Sequence, residues 1–225
     1  MTTTTRRLTA LSLVLAPVFL GAALLADITP EADDTRELLE LIAVNPAAWS
    51  MGQTLFFLSA VLWLPAGFAL ARLFGPHARL GRVGAAAVAV GGLAVLSIDA
   101  AGLYLRQLAG SGIPIDQQVA LVESVESSPT VLVFETIHVA GLVLGLVLVG
   151  VAMIRHGGLP RWAGALVIAG TVGLAAAPGR AALAVALGLL VVGLGVAATV
   201  AGRSTGATDS DDITGRQKPL SVGRG

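Results

Sequence analysis

Residues 162–201, WAGALVIAGTVGLAAAPGRAALAVALGLLVVGLGVAATVA, decide the fold. An α-helix rises about 1.5 Å per residue, so crossing roughly 30 Å of hydrocarbon takes about 20 residues. The stretch accommodates two such helices only if it turns at Pro178-Gly179-Arg180, its one strong breaker and charge. A tight hairpin is therefore expected there, and the number of membrane spans is then even.

Four more runs meet the length for a span: Leu8 to Ala26, Ala48 to Leu70, Val83 to Leu105 and Val131 to Ile154. The expectation is an all-α polytopic membrane protein of six transmembrane helices in three hairpins, occupying residues 1–202. Composition agrees, with 55% hydrophobic and 12% charged residues. Gly and Ala are frequent inside the apolar runs, as in Gly141 and Gly145, which suits helices that pack closely in lipid. Such glycine faces offer surfaces for a homo-oligomer, although none is singled out. Residues 203–225 are rich in Ser, Thr, Gly and Asp and are expected to form a disordered cytoplasmic tail.

The arginines give an orientation. Arg6 and Arg7 precede the first span, Arg72, Arg79 and Arg82 separate the second from the third, Arg155 and Arg161 separate the fourth from the fifth, and Arg203 follows the sixth. The other side carries Asp27, Glu31, Asp33, Asp34, Glu37, Glu40, Asp116, Glu123 and Glu126, with Arg36, Arg106 and Arg180 as its cations. By the positive-inside rule the arginine-rich loops and both termini face the cytoplasm, at the inner (plasma) membrane. The first span also has features of a cleaved signal peptide, with Arg6-Arg7 before an apolar core and Ala26 after it. Against that reading stand the length of the core, Leu24 where a small residue is wanted, and the alternation of the remaining loops.

Two outer connections are expected to hold short amphipathic helices. The first starts near Thr29-Pro30, shows Leu38, Leu39, Leu41 and Ile42, and stops at Asn45-Pro46. The second starts near Pro114 and Asp116, shows Leu121, Val122 and Val125, and stops at Ser128-Pro129. At one offset Asp33 matches Asp116, Leu38 matches Leu121, Glu40 matches Glu123, Pro46 matches Pro129 and Arg72 matches Arg155, the pattern of an internal duplication.

Residues Gly145 to Gly170, GLVLVGVAMIRHGGLPRWAGALVIAG, carry an L-P-R-x-x-G turn between the fourth and fifth helices. That turn resembles a family of bacterial multi-pass membrane proteins known only as a domain of unknown function, and the Asn45-Pro46 segment looks similar to that family too. The resemblance implies a six- or seven-helix membrane protein and no catalytic residue.

Ionisable residues inside a span cost about 2.5–3.5 kcal/mol each at mid-helix even on translocon scales, so each asks for a reason. Asp99 lies on the third span; Glu135 and His138 lie one turn apart on the fourth, and Gln53 lies on the second. All four fall in the outer third, where they can converge on an outward-opening pocket. Three chemistries fit. Asp99, Glu135 and His138 supply oxygen and nitrogen ligands for a metal, although Glu-x-x-His occurs on one helix rather than two. Asp99 and Glu135 balance Arg106 and Arg180 in an internal ion-pair network. The same groups also suit a vestibule for a proton, a cation or a small polar solute.

Other classes are disfavoured. The absence of cysteine removes thiol chemistry. His77 and His156 sit in loops, so paired histidines for haem b are missing from the spans, and no cofactor is expected. No G-x-S-x-G elbow and no phosphate-binding glycine loop occurs. The formal net charge of zero gives no reason to expect nucleic acid; the lipid bilayer is the expected partner. Trp49 and Tyr104 read as anchors at the outer interface rather than a stacking platform. The functional expectation is a structural or small-ligand-binding membrane protein, with a proton-coupled or small-solute transporter and a metal-dependent membrane enzyme as alternatives.

Overall fold

The computed structural model describes residues 3–27, 32–74, 78–155 and 158–203, with the side chains of residues 3, 5, 6, 97–100, 202 and 203 outside that description. The expectations for Arg6, Thr29-Pro30, Glu31, His77, His156, the Asp99 side chain and the tail beyond Arg203 therefore lie outside the described residues. The described residues form eight helices: α1 (Thr3–Ala26), α2 (Thr35–Val44), α3 (Pro46–Leu73), α4 (Arg79–Ala109), α5 (Ile115–Glu126), α6 (Pro129–Arg155), α7 (Arg161–Ala176) and α8 (Arg180–Arg203).

Five helices are long and apolar enough to cross a membrane: α1, α3, α4, α6 and α8. The decisive stretch does break, with α7 ending at Ala176 and α8 starting at Arg180. Its first half, however, is 16 residues, or about 24 Å of helix, short of the roughly 30 Å of a full span. Helix α4 errs the other way, running 31 residues. Pro17 and Pro65 lie inside α1 and α3, which continue through them.

The six longest apolar helices pack as a closed ring in chain order: α1 on α3, α3 on α4, α4 on α6, α6 on α7, α7 on α8, and α8 back on α1. Neighbours run antiparallel. Gly67 of α3 faces Ala85 and Ala89 of α4, whereas Gly92, further along α4, faces Ala60 and Trp63, earlier in α3. Across the closing seam Gly21 meets Leu187 and Val14 meets Gly195. The interior is filled: Leu13, Trp63, Leu70, Val88, Val149, Leu190 and Leu194 are all within 1% of complete burial. Lipid cannot drive helices together hydrophobically, and here small residues let the backbones touch. An added Cβ on Gly84 would lie 2.8 Å from the Gly145 carbonyl oxygen, and one on Gly150 would lie 2.8 Å from that of Gly164. Ser59 adds a buried interhelical hydrogen bond, donating to the Ala16 carbonyl at 2.9 Å.

Outside the ring, α2 and α5 form a cap on the protruding end of α4. Leu39, Leu108 and Val122 are its buried centre, with Leu105, Ile115 and Val119 packed around them. Asp34 caps α2, accepting from the Glu37 amide at 2.8 Å, so this helix begins after the expected Thr29-Pro30 start. Arg36 of α2 pairs with Asp116 of α5 across the cap.

Some element boundaries recur at the offset of the matched sequence positions. Ala26 and Ala109 each end a helix, and Pro46 and Pro129 each begin one, both pairs 83 residues apart (109 − 26 and 129 − 46). Gly67 of α3 touches α4, and Gly150, 83 residues later in α6, touches α7.

Candidate functional site

Four elements meet where α3 begins and α4 ends. Trp49 sits on the first turn of α3, and its indole Nε1 donates to the Gly102 carbonyl of α4 at 2.8 Å. At 5% exposure Trp49 is an internal tether, which corrects the expectation of an interface anchor; Tyr104 is 48% exposed. One turn along from Trp49, the Gln53 amide lies over Gly102. A Cβ added at Gly102 would meet the far end of the Gln53 side chain, so Gly102 leaves the space that the amide occupies.

The turn at Ser127-Ser128 ends α5 and starts α6, folding Glu126 back towards Glu135. These pieces enclose a cleft of about 190 Å³, lined by Trp49, Gln53, Gly102, Glu126, Phe134, Glu135 and their apolar neighbours. Among the described residues its acidic groups are Glu126 and Glu135, its neutral polar group is Gln53, and no arginine or lysine lines it. Glu126 is held above the usual carboxylate range, first by burial and then by the negative charges of Glu135 and Glu123. Glu135 also borders the outer face of α6, beside Thr136 and Val139.

The expected cluster is thus brought together in part. Gln53 and Glu135 share the cleft. His138 belongs to a different contact: its Nδ1 lies 3.0 Å from the Gly91 carbonyl of α4. A carbonyl only accepts, so Nδ1 carries the hydrogen. Arg180 begins α8 and reaches the Asp27 carbonyl at the end of α1, at 3.4 Å. Arg106 is exposed near the end of α4 and does not line the cleft. Arg36 and Asp116 form an ion pair, which includes none of the groups expected in the internal network. Among the described residues no three His, Asp or Glu side chains gather as metal ligands; the Asp99 side chain, one of the expected three, is outside them.

Glu126 was not among the expected site residues. The sequence shows it as one more outer acid on an amphipathic helix, and its position depends on how the Ser128-Pro129 turn folds α5 against α6.

No protein-family model, curated protein or solved structure matches this chain.

Below the cleft the seam between α4 and α6 is closed by backbone. A Cβ on Gly91 would lie 2.7 Å from the Leu142 amide nitrogen, and one on Gly141 would lie 2.8 Å from the Gly91 Cα. The cleft therefore does not continue along this seam.

Proposed function

We propose that this chain is a six-span protein of a bacterial plasma membrane, with both termini cytoplasmic, whose outer cleft binds a small cationic solute. The observation that carries the binding reading is the pairing of Glu126 with Glu135 in a cleft that no cationic side chain lines among the described residues. Two carboxylates so placed repel one another, and a bound cation relieves the repulsion. Trp49 and Phe134 supply aromatic walls, suited to a quaternary or protonated amine. Closure of the α4–α6 seam favours binding over conduction, and the site is outward in the orientation that the arginines favour.

The sixth span is α7. It packs between α6 and α8, which are long enough to cross, and a short helix is accommodated by local thinning of the bilayer. Trp162, 54% exposed beside Arg161, suits the cytoplasmic headgroup level. The bacterial assignment rests on the resemblance carried by residues 145–170.

The test is a titration of detergent-purified protein with tetramethylammonium chloride, against sodium chloride at equal ionic strength, followed by melting temperature. A saturable rise is expected for wild type and is lost in Glu126→Gln and Glu135→Gln. No saturable rise, or the same rise in both variants, sinks the reading. Metal content of the same samples tests the enzyme alternative: stoichiometric metal lost in Glu135→Gln and His138→Ala would replace solute binding with a metal site. A reporter fused after Arg203 that proved external would overturn the orientation.

A further inference from the structure

At the opposite end of the α3–α4 seam the two helices leave a groove on the outer face of the bundle, with about 480 Å³ of free volume. Its floor and walls are apolar: Gly67, Phe68, Ala71, Val83, Ala86 and Ala89. Small residues meet at its floor, Gly67 packing directly on Ala85 and Ala89. Phe68 at 57% exposure and Val83 at 59% form its exposed rims. Arg79 and Arg82, both exposed on the first turn of α4, stand at its head. That turn has no acidic residue and no side-chain cap, so its positive helix end adds to the two guanidiniums. The carboxylates of the described residues lie at or near the other end of the bundle, and the ion pair found among them is elsewhere.

We propose that this groove is a site for one anionic phospholipid of the cytoplasmic leaflet, its phosphate held by Arg79 and Arg82 and an acyl chain lying along the α3–α4 seam. Charge complementarity selects the headgroup. Two guanidiniums without a carboxylate partner among the described residues match a phosphodiester, to which arginine gives paired hydrogen bonds. The apolar groove running from them towards the bilayer centre matches the tail and distinguishes a lipid from free phosphate. The leaflet depends on the cytoplasmic orientation proposed above; occupancy of the groove does not.

Native mass spectrometry of full-length protein tests this, after exchange into detergent containing equal amounts of palmitoyl-oleoyl phosphatidylglycerol and phosphatidylcholine. Wild type is expected to retain one phosphatidylglycerol in preference to phosphatidylcholine. Arg79→Gln/Arg82→Gln should lose that preference by roughly thirtyfold. Ala86→Trp, which fills the groove from an exposed position and keeps both charges, should lose the retained lipid as well. Arg155→Gln/Arg161→Gln, with the same change in charge away from the groove, should bind as wild type. Retention unchanged in the Arg79/Arg82 variant overturns the proposal, as does equal loss in the Arg155/Arg161 variant or unchanged retention in Ala86→Trp. Melting temperatures of the three variants confirm that each is folded. Because the experiment is done in detergent, its failure leaves the orientation and the outer cleft untouched.

Discussion

The Trp49 indole of α3 donates to the Gly102 carbonyl of α4, and the same glycine leaves the space in which Gln53 lies. One residue thus fixes both the tether and the polar wall of the outer cleft. Trp49→Phe keeps the ring and deletes the donor, and is expected to cost about 1 kcal/mol of stability. Gly102→Ala should act differently. Its Cβ meets the far end of the flexible Gln53 side chain, which can swing away, so stability stays within about 1 kcal/mol of wild type while the cleft loses its amide. Melting curves and the tetramethylammonium titration, run on both variants, separate the two effects.

The α4–α6 seam allows no such escape. A Cβ at Gly141 meets backbone atoms of Gly91 and Ala87. Gly141→Val is expected to destabilise the bundle by about 1–3 kcal/mol or more, because two helices must separate to admit it. Gly188, with nothing within 4 Å of an added Cβ, is the control: Gly188→Ala should be neutral or stabilising by up to about 1 kcal/mol. Thermal unfolding in a mild detergent reads both.

Glu126 predicts a pH dependence. Its carboxyl is raised in the folded protein, so the stability linked to it is fully present below the unfolded carboxylate pKa and is lost as pH rises through the raised folded value. Glu126→Gln should therefore gain melting temperature relative to wild type as pH moves from 4 to 7. Glu135→Gln, by removing one of the charges that raise it, should shrink the same difference. A pH-independent offset between wild type and Glu126→Gln would contradict the assignment.

The outer cap is held by its apolar centre rather than by its ion pair. Arg36 and Asp116 have side chains 46% and 82% exposed, and exposed pairs of this kind contribute at most about 1 kcal/mol. Leu39 is 1% exposed between Leu108 and Val122, and truncating such a leucine typically costs 2–5 kcal/mol. Proteolysis of the α4–α5 connection should accordingly speed up in Leu39→Ala and change little in Arg36→Ala.

Much of this architecture is legible in the residues. Length and apolarity mark α3, α4 and α6; Pro46 and Pro129 mark two helix starts; and Pro178-Gly179 separates α7 from α8. What hydropathy cannot convey is where an apolar run stops being helix, and Ala176 looks no different from the residues that precede it. That is why α7 reads as a full span and proves to be 16 residues. The site was half legible for a related reason. Gln53 and Glu135 share a depth and meet, but helical spacing alone does not say which neighbour a face will meet, and His138 turns to the Gly91 carbonyl instead. Trp49 was misread because an aromatic near a membrane boundary suits either lipid or a neighbouring helix, and only the bare Gly102 backbone beside it decides.

The ring has a further consequence for how the protein is made. Each apolar helix packs against the one synthesised just before it, so α1 with α3, then α4, α6 and α7 can join the growing bundle during translation. The seam that joins the first helix to the last, Gly21 against Leu187 and Gly195 near Val14, has no partner until α8 has emerged. A chain stopped before Arg180 would leave the edges of α1 and α7 without the helix that joins them, so the ring closes only with its last helix.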